Sequence, residues 1–93
     1  MVWTTIRKLP NYEVSNEGQV RNRRTMRILN PYLNRPGGYP KVRLNDRKQY
    51  YVHTLVADNF YARGVQEGDI VLHTDGNKLN NHVSNLVISS KID

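Results

Sequence analysis

The sequence predicts an α+β fold, and three observations predict it. Apolar and polar residues alternate in short runs through the first half, the apolar spacing lengthens to that of a helix at Val52, and two short apolar runs about an Asn-rich turn close the chain. At 93 residues the chain makes one domain, 1–93, able to bury one modest core. The expected architecture is an N-terminal antiparallel β-sheet, one central helix and a C-terminal hairpin.

Each element has its own signal. Tyr12-Glu13-Val14-Ser15 and Gln19-Val20-Arg21-Asn22 form a short hairpin about Asn16-Glu17-Gly18, where glycine can take a positive φ. Residues 28–33 are a strand interrupted by Pro31, which places it at a sheet edge. After a Pro36-Gly37-Gly38 turn, residues 39–44 put Val42 and Leu44 on one face, Lys41 and Arg43 on the other. Asn45-Asp46-Arg47 then turns into a strand over residues 49–52, completing an antiparallel meander. Val52, Leu55, Val56 and Phe60 fall on one side of a helix over residues 53–63, stopped near Gly64. Residues 69–73 and 85–88 form the closing hairpin around Asp75-Gly76-Asn77. Ser90 and Asp93 have the spacing of a capping box for a further helix. Trp3, Tyr12 and Phe60 are expected in the core, whereas Tyr32, Tyr39, Tyr50 and Tyr51 lie among basic residues and are open to base stacking.

The net charge of +6 divides unevenly. Residues 1–48 carry eleven Lys/Arg against three acids, +8, and residues 49–93 carry three against five, −2. A basic, β-rich part over 1–48 and a mildly acidic part over 49–93 suggest a phosphate-binding surface on the first. The residues expected to contact nucleic acid are Arg21, Arg23, Arg24, Arg27, Lys41, Arg43, Arg47, Lys48 and, at the head of the helix, His53. With no Cys, neither a disulfide nor a thiolate metal site is available. No apolar run is long enough to span a membrane and no signal-peptide core follows Met1, so a cytosolic location, and no membrane partner, is the plain expectation.

The richest segment is His73-Thr74-Asp75-Gly76-Asn77-Lys78-Leu79-Asn80-Asn81, followed by Asn85-Leu86. It resembles the central motif of HNH endonucleases, in particular the phage and intron-encoded homing type. Trp3, Ile6, Tyr12-Glu13-Val14-Ser15-Asn16 and Gly18-Gln19-Val20-Arg21-Asn22 resemble the nuclease-associated modular motif found at the N-terminus of many of them. Gly38-Tyr39, Val42-Arg43-Leu44, residues 52–57 and Phe60 continue the likeness in order along nearly the whole chain.

The resemblance implies a ββα-metal core that hydrolyses a phosphodiester with one divalent cation. His73 would be the catalytic proton acceptor, suited by an imidazole pKa near neutrality. Asp75, Asn77, Asn80 and Asn81 would shape the loop, and His53 would touch phosphate or bond to that loop. His82 is expected at the surface. Leu72 stands where the family usually places an Asp or Asn ligand, and the chain ends at Asp93, where the metal-binding helix would begin. No metal ligand is therefore assigned. The expected function is an HNH-endonuclease-like, phage-type protein that binds double-stranded DNA, with cleavage impaired or absent; Mg²⁺ is the cofactor if it is active and none is needed otherwise. Two alternatives are an inhibitor that occupies a nucleic-acid-binding host nuclease, a CRISPR effector for example, and an active metal-dependent nickase.

Overall fold

A computed structural model describes residues 1–33 and 35–90. Four strands open the fold as an antiparallel sheet in the order β1 (Trp3–Thr5), β2 (Tyr12–Ser15), β3 (Val20–Asn22) and β4 (Ile28–Leu29). The expected hairpin is β2–β3, with Val14 opposite Val20, and the expected edge strand is β4. The added strand is β1, too short a run to stand out in the sequence; it pairs Trp3 with Ser15 across β2.

The meander does not continue as one sheet. β5 (Lys41–Arg43) and β6 (Gln49–Tyr51) form a separate two-stranded hairpin, and a bridge between Tyr32 and Lys41 links back toward the first sheet. Pro31 lacks a backbone donor and Pro36-Gly37-Gly38 turns the chain, so a ladder cannot run on through this connection. Val42 and Leu44 point into the core and Arg43 points out, as the alternation requires.

Helix α1 (Val52–Phe60) buries Val52, His53, Leu55, Val56 and Ala57. It ends earlier than residue 63. Tyr61 is already extended (φ −89°, ψ 136°), and its hydroxyl reaches across to the carbonyls of Val83, 3.2 Å away, and Leu86. The tyrosine thus leaves the helix to hold the closing hairpin. That hairpin is β7 (Asp69–His73) against β8 (Leu86–Ser90), with a 3₁₀ turn, Val83–Asn85, before the second strand. The helix lies against both the first sheet and this hairpin, around a core of Ile6, Tyr12, Val14, Val20, Val42, Leu44 and Leu86 with the helix's own apolar face. Trp3 and Phe60 are only partly buried, unlike Tyr12. The capping box expected at Ser90 and Asp93 rests on a residue outside those described.

Candidate functional site

His73 is the last residue of β7, and strand alternation sets its direction. Asp69, Val71 and His73 face inward with intermediate burial while Ile70 and Leu72 are exposed. Leu72, the neighbour of His73, therefore points to the opposite face of the hairpin. His73 Nε2 lies 2.7 Å from Asn81 Oδ1. With the amide oxygen turned to the ring, Nε2 donates and Nδ1 is left to accept a proton.

Asn81 does more than shape the loop: it is buried, it fixes the His73 ring, and it is itself held from behind. Gly18, at φ +89° in the β2–β3 turn, packs so closely that a Cβ there would sit 2.7 Å from Asn81 Cβ. The same turn accepts Val83 N–H on the Asn16 carbonyl at 2.8 Å. The first hairpin thus braces the segment that carries Asn81.

The rest of the loop forms a closed hydrogen-bond network. Asp75 accepts from Asn77 N–H (2.7 Å), Asn80 Nδ2 (2.9 Å) and Asn85 Nδ2 (2.9 Å), and these donors hold its carboxyl below the usual carboxylate range, the Asn80 amide first among them. Buried Asn85 is the hub. Its Oδ1 accepts from Thr74 Oγ1 at 2.7 Å and from Asp75 N–H at 3.1 Å, while its amide also donates to the Asn80 carbonyl at 2.9 Å. Asp75, Asn77 and Asn80, the residues expected to shape the loop, are the ones joined by these bonds. Asn85 was part of the motif but was assigned no role. His82 caps the 3₁₀ turn, Nδ1 accepting from Ser84 N–H at 3.1 Å.

His53 requires a correction. It is only 8% exposed, so it is no surface phosphate contact, and Nδ1 finds no hydrogen-bond partner among the described residues, so it does not bond to the Asn-rich loop through that atom. It lies in a ring cluster, 5.0 Å from His73, 5.0 Å from Tyr39 and 5.3 Å from Tyr51, centroid to centroid. Burial, then the neighbouring His73, pushes its pKa down to about 4, so at neutral pH it is an uncharged ring.

Arg21 is the second correction. Its Nε donates to Glu13 Oε1 at 2.8 Å across β2–β3, and its guanidinium lies 3.9 Å above the Trp3 ring with the side chain 18% exposed. An arginine committed to a carboxylate and an indole in this way ties the sheet together rather than presenting its charge to a ligand. Arg23, Arg24, Arg27, Arg43, Arg47 and Lys48 are exposed and in no ion pair with a described residue. Arg23 and Arg24, with Asn11, Asn22 and Asn45, line an open polar cleft of about 510 Å³.

Two cations also flank the ring cluster. Lys41 Nζ sits 4.9 Å over Tyr51, and Lys78 Nζ sits 4.9 Å over Tyr39 while donating to the Gly37 carbonyl at 2.9 Å. The sequence reads Tyr39 and Tyr51 only as open to base stacking and gives Lys78 no role; Gly38-Tyr39 inside the family-like stretch is the signal that links them to the site. Among the described residues no group of three or more His, Cys, Asp or Glu is placed to share a metal ion. Among the described residues no carboxylate is hydrogen-bonded to His73, and Asp75 is occupied by amide donors. These residues by themselves do not fit Mg²⁺, which needs hard oxygen ligands.

An antiparallel hairpin carrying a histidine and an Asn-rich loop beside a helix defines an HNH-type nuclease fold. The chain belongs to the HNH homing-endonuclease family. Residues 1–45 match the NUMOD4 motif and residues 50–93 match the HNH endonuclease family. The chain is similar to the DNA endonuclease I-HmuI of Bacillus phage SP01, 37% identical over 90 residues covering 92% of this chain and 51% of the relative. It is 38% identical over 86 residues to an uncharacterized HNH endonuclease, L245, of Acanthamoeba polyphaga mimivirus, covering 90% of this chain and 26% of that protein. A solved structure described as DNA binding and cleavage by I-HmuI superposes with a TM-score of 0.80 at 34% identity, covering 98% of this chain and 53% of that one. The chain thus spans about half the length of I-HmuI and about a quarter of the mimivirus protein.

Proposed function

We propose that this chain is a duplex-DNA-binding module of the HNH homing-endonuclease type, in which His73 keeps the geometry of a proton acceptor while phosphodiester cleavage by these residues alone is impaired or absent. The observation that carries this reading is the setting of His73. Asn81 orients its ring, Tyr39 and His53 wall it in, and Lys41 and Lys78 stand by to hold phosphate, yet its strand neighbour is the outward-facing Leu72. Arg23, Arg24, Arg27, Arg43, Arg47 and Lys48, exposed and in no ion pair with a described residue, supply the sequence-independent attraction to the backbone. The I-HmuI structure is described as binding and cleaving DNA, which supports DNA as the ligand here. Residues 1–48 are the basic DNA-facing part and 49–93 the HNH-like part of a single domain, acting in the cytosol.

The metal is the family's means of stabilising charge on the scissile phosphate. The chain's own residues orient an imidazole, bury His53 and gather cations. Fluorescence anisotropy with a labelled duplex across a salt series, beside plasmid nicking in Mg²⁺ and in Mn²⁺, tests the reading. Salt-sensitive binding without nicking is expected, and Leu72→Asp alone is expected to rescue little. Metal-dependent nicking by the unmodified chain, lost in His73→Ala, selects the active nickase instead. Stable association with a host nuclease, together with no affinity for free duplex, selects the inhibitor.

A further inference from the structure

The β3–β4 turn, residues 23–27, presents an apolar side chain in the middle of a basic surface. Met26 is 54% exposed and adopts φ +63°, a left-handed conformation that side chains other than glycine rarely occupy. Asn22 N–H donates to the Arg27 carbonyl at 2.9 Å, and Met26 N–H donates to the Asn22 carbonyl at 2.8 Å. Asn22 Oδ1 accepts from Arg24 N–H at 2.9 Å and Thr25 N–H at 3.0 Å, and Arg23 N–H is tied to the Asn11 carbonyl at 2.8 Å. The turn is therefore a rigid mount, and it holds a methionine away from the core at a backbone position that costs free energy to occupy.

Around that tip stand Arg23, Arg24 and Arg27, all exposed and none in an ion pair with a described residue. Arg23 and Arg24 also border the open polar cleft, which Asn45 of the β5–β6 turn lines with them. Cations that hold two phosphate strands, with an unbranched, deformable apolar side chain fixed between them, match how proteins wedge open a base step from the minor groove.

We propose that Met26 is a wedge: on duplex DNA its thioether side chain inserts at a base step from the minor groove while Arg23, Arg24 and Arg27 grip the flanking phosphates, and the duplex is kinked there. This rests on the DNA-binding reading above and adds to it a deformation of the DNA. Binding alone does not require a kink.

The test is ligase-mediated cyclisation of a linear duplex of about 150 bp, near the length that resists bending, with the full chain at occupancies matched by anisotropy. The wild type should raise minicircle yield at least about tenfold over DNA alone. Met26→Ala should lose most of that gain at equal occupancy, and Met26→Leu should retain it. Met26→Gly, which relieves the backbone conformation and so keeps the fold, should lose it as Ala does. Binding by the wild type with no gain in cyclisation, or cyclisation by Met26→Gly equal to the wild type's, overturns the wedge while leaving the binding reading in place. Absence of any duplex binding overturns both.

Discussion

Tyr39 lies stacked on His73, with ring centroids 5.7 Å apart and 28° between the planes, so a residue of the N-terminal part forms a wall of the site whose histidine comes from the C-terminal part. Lys78 covers the Tyr39 ring at 4.9 Å and is itself bonded to Gly37, which closes the wall. The two halves matched by separate family motifs are thus one site in three dimensions.

The buried imidazole of His53 sets a pH dependence of stability. Its folded pKa of about 4 lies below the ordinary 6.5 of the unfolded chain, so between those values the unfolded state takes up a proton that the folded state refuses. Stability should be complete above pH 6.5, fall as pH drops through the window, and level off below pH 4. The contribution from this group is about 3 kcal/mol. Urea unfolding at several pH values checks it: His53→Phe, which keeps an aromatic ring and removes the unpaired Nδ1, should lose about that much of the acid-side decline.

The exposed turn arginines should carry part of the salt dependence of DNA binding. If the surface neutralises about four phosphates, the log–log slope of affinity against salt is near −3.6, and replacing Arg23, Arg24 and Arg27 together by Ala should make it shallower by about 2.7. Replacing Arg21 should instead lower stability, since Glu13 and Trp3 lose their partner. A parallel salt titration and thermal melt separate the two results.

Gly18→Ala tests the brace behind Asn81. The added methyl meets Asn81 Cβ at 2.7 Å and sits on a positive-φ backbone, so a loss of roughly 1–3 kcal/mol is expected. His73 should register the change through Asn81, as a shift of its ring resonances in NMR spectra. An equal loss of stability with His73 resonances unmoved would show that the brace does not reach the histidine.

Phe60→Ala gauges the outer edge of the core. Phe60 packs against the core but remains partly exposed, so its removal should cost about 2 kcal/mol, below the 3–5 expected for a fully buried phenylalanine. Leu86→Ala, at a residue 1% exposed, should cost at least as much in the same denaturant series.

Local spacing was enough to place the alternating Val42 and Leu44, the helical row Val52, Leu55 and Val56, the β2–β3 hairpin and the histidine at the head of an Asn-rich turn. Such patterns report which side of an element faces inward, because side-chain direction follows from backbone period alone. The sequence by itself therefore determined the fold class and the inward faces of these elements, and singled out His73 as the residue to follow. Tertiary structure decided the rest. It separated β5–β6 from the first sheet, buried His53, tied Arg21 to Glu13 and Trp3, and brought Tyr39, Tyr51 and Lys78 around His73. None of these follows from period, since each depends on the docking of elements distant in the chain, where packing of the whole core, rather than any local preference, selects which surfaces meet.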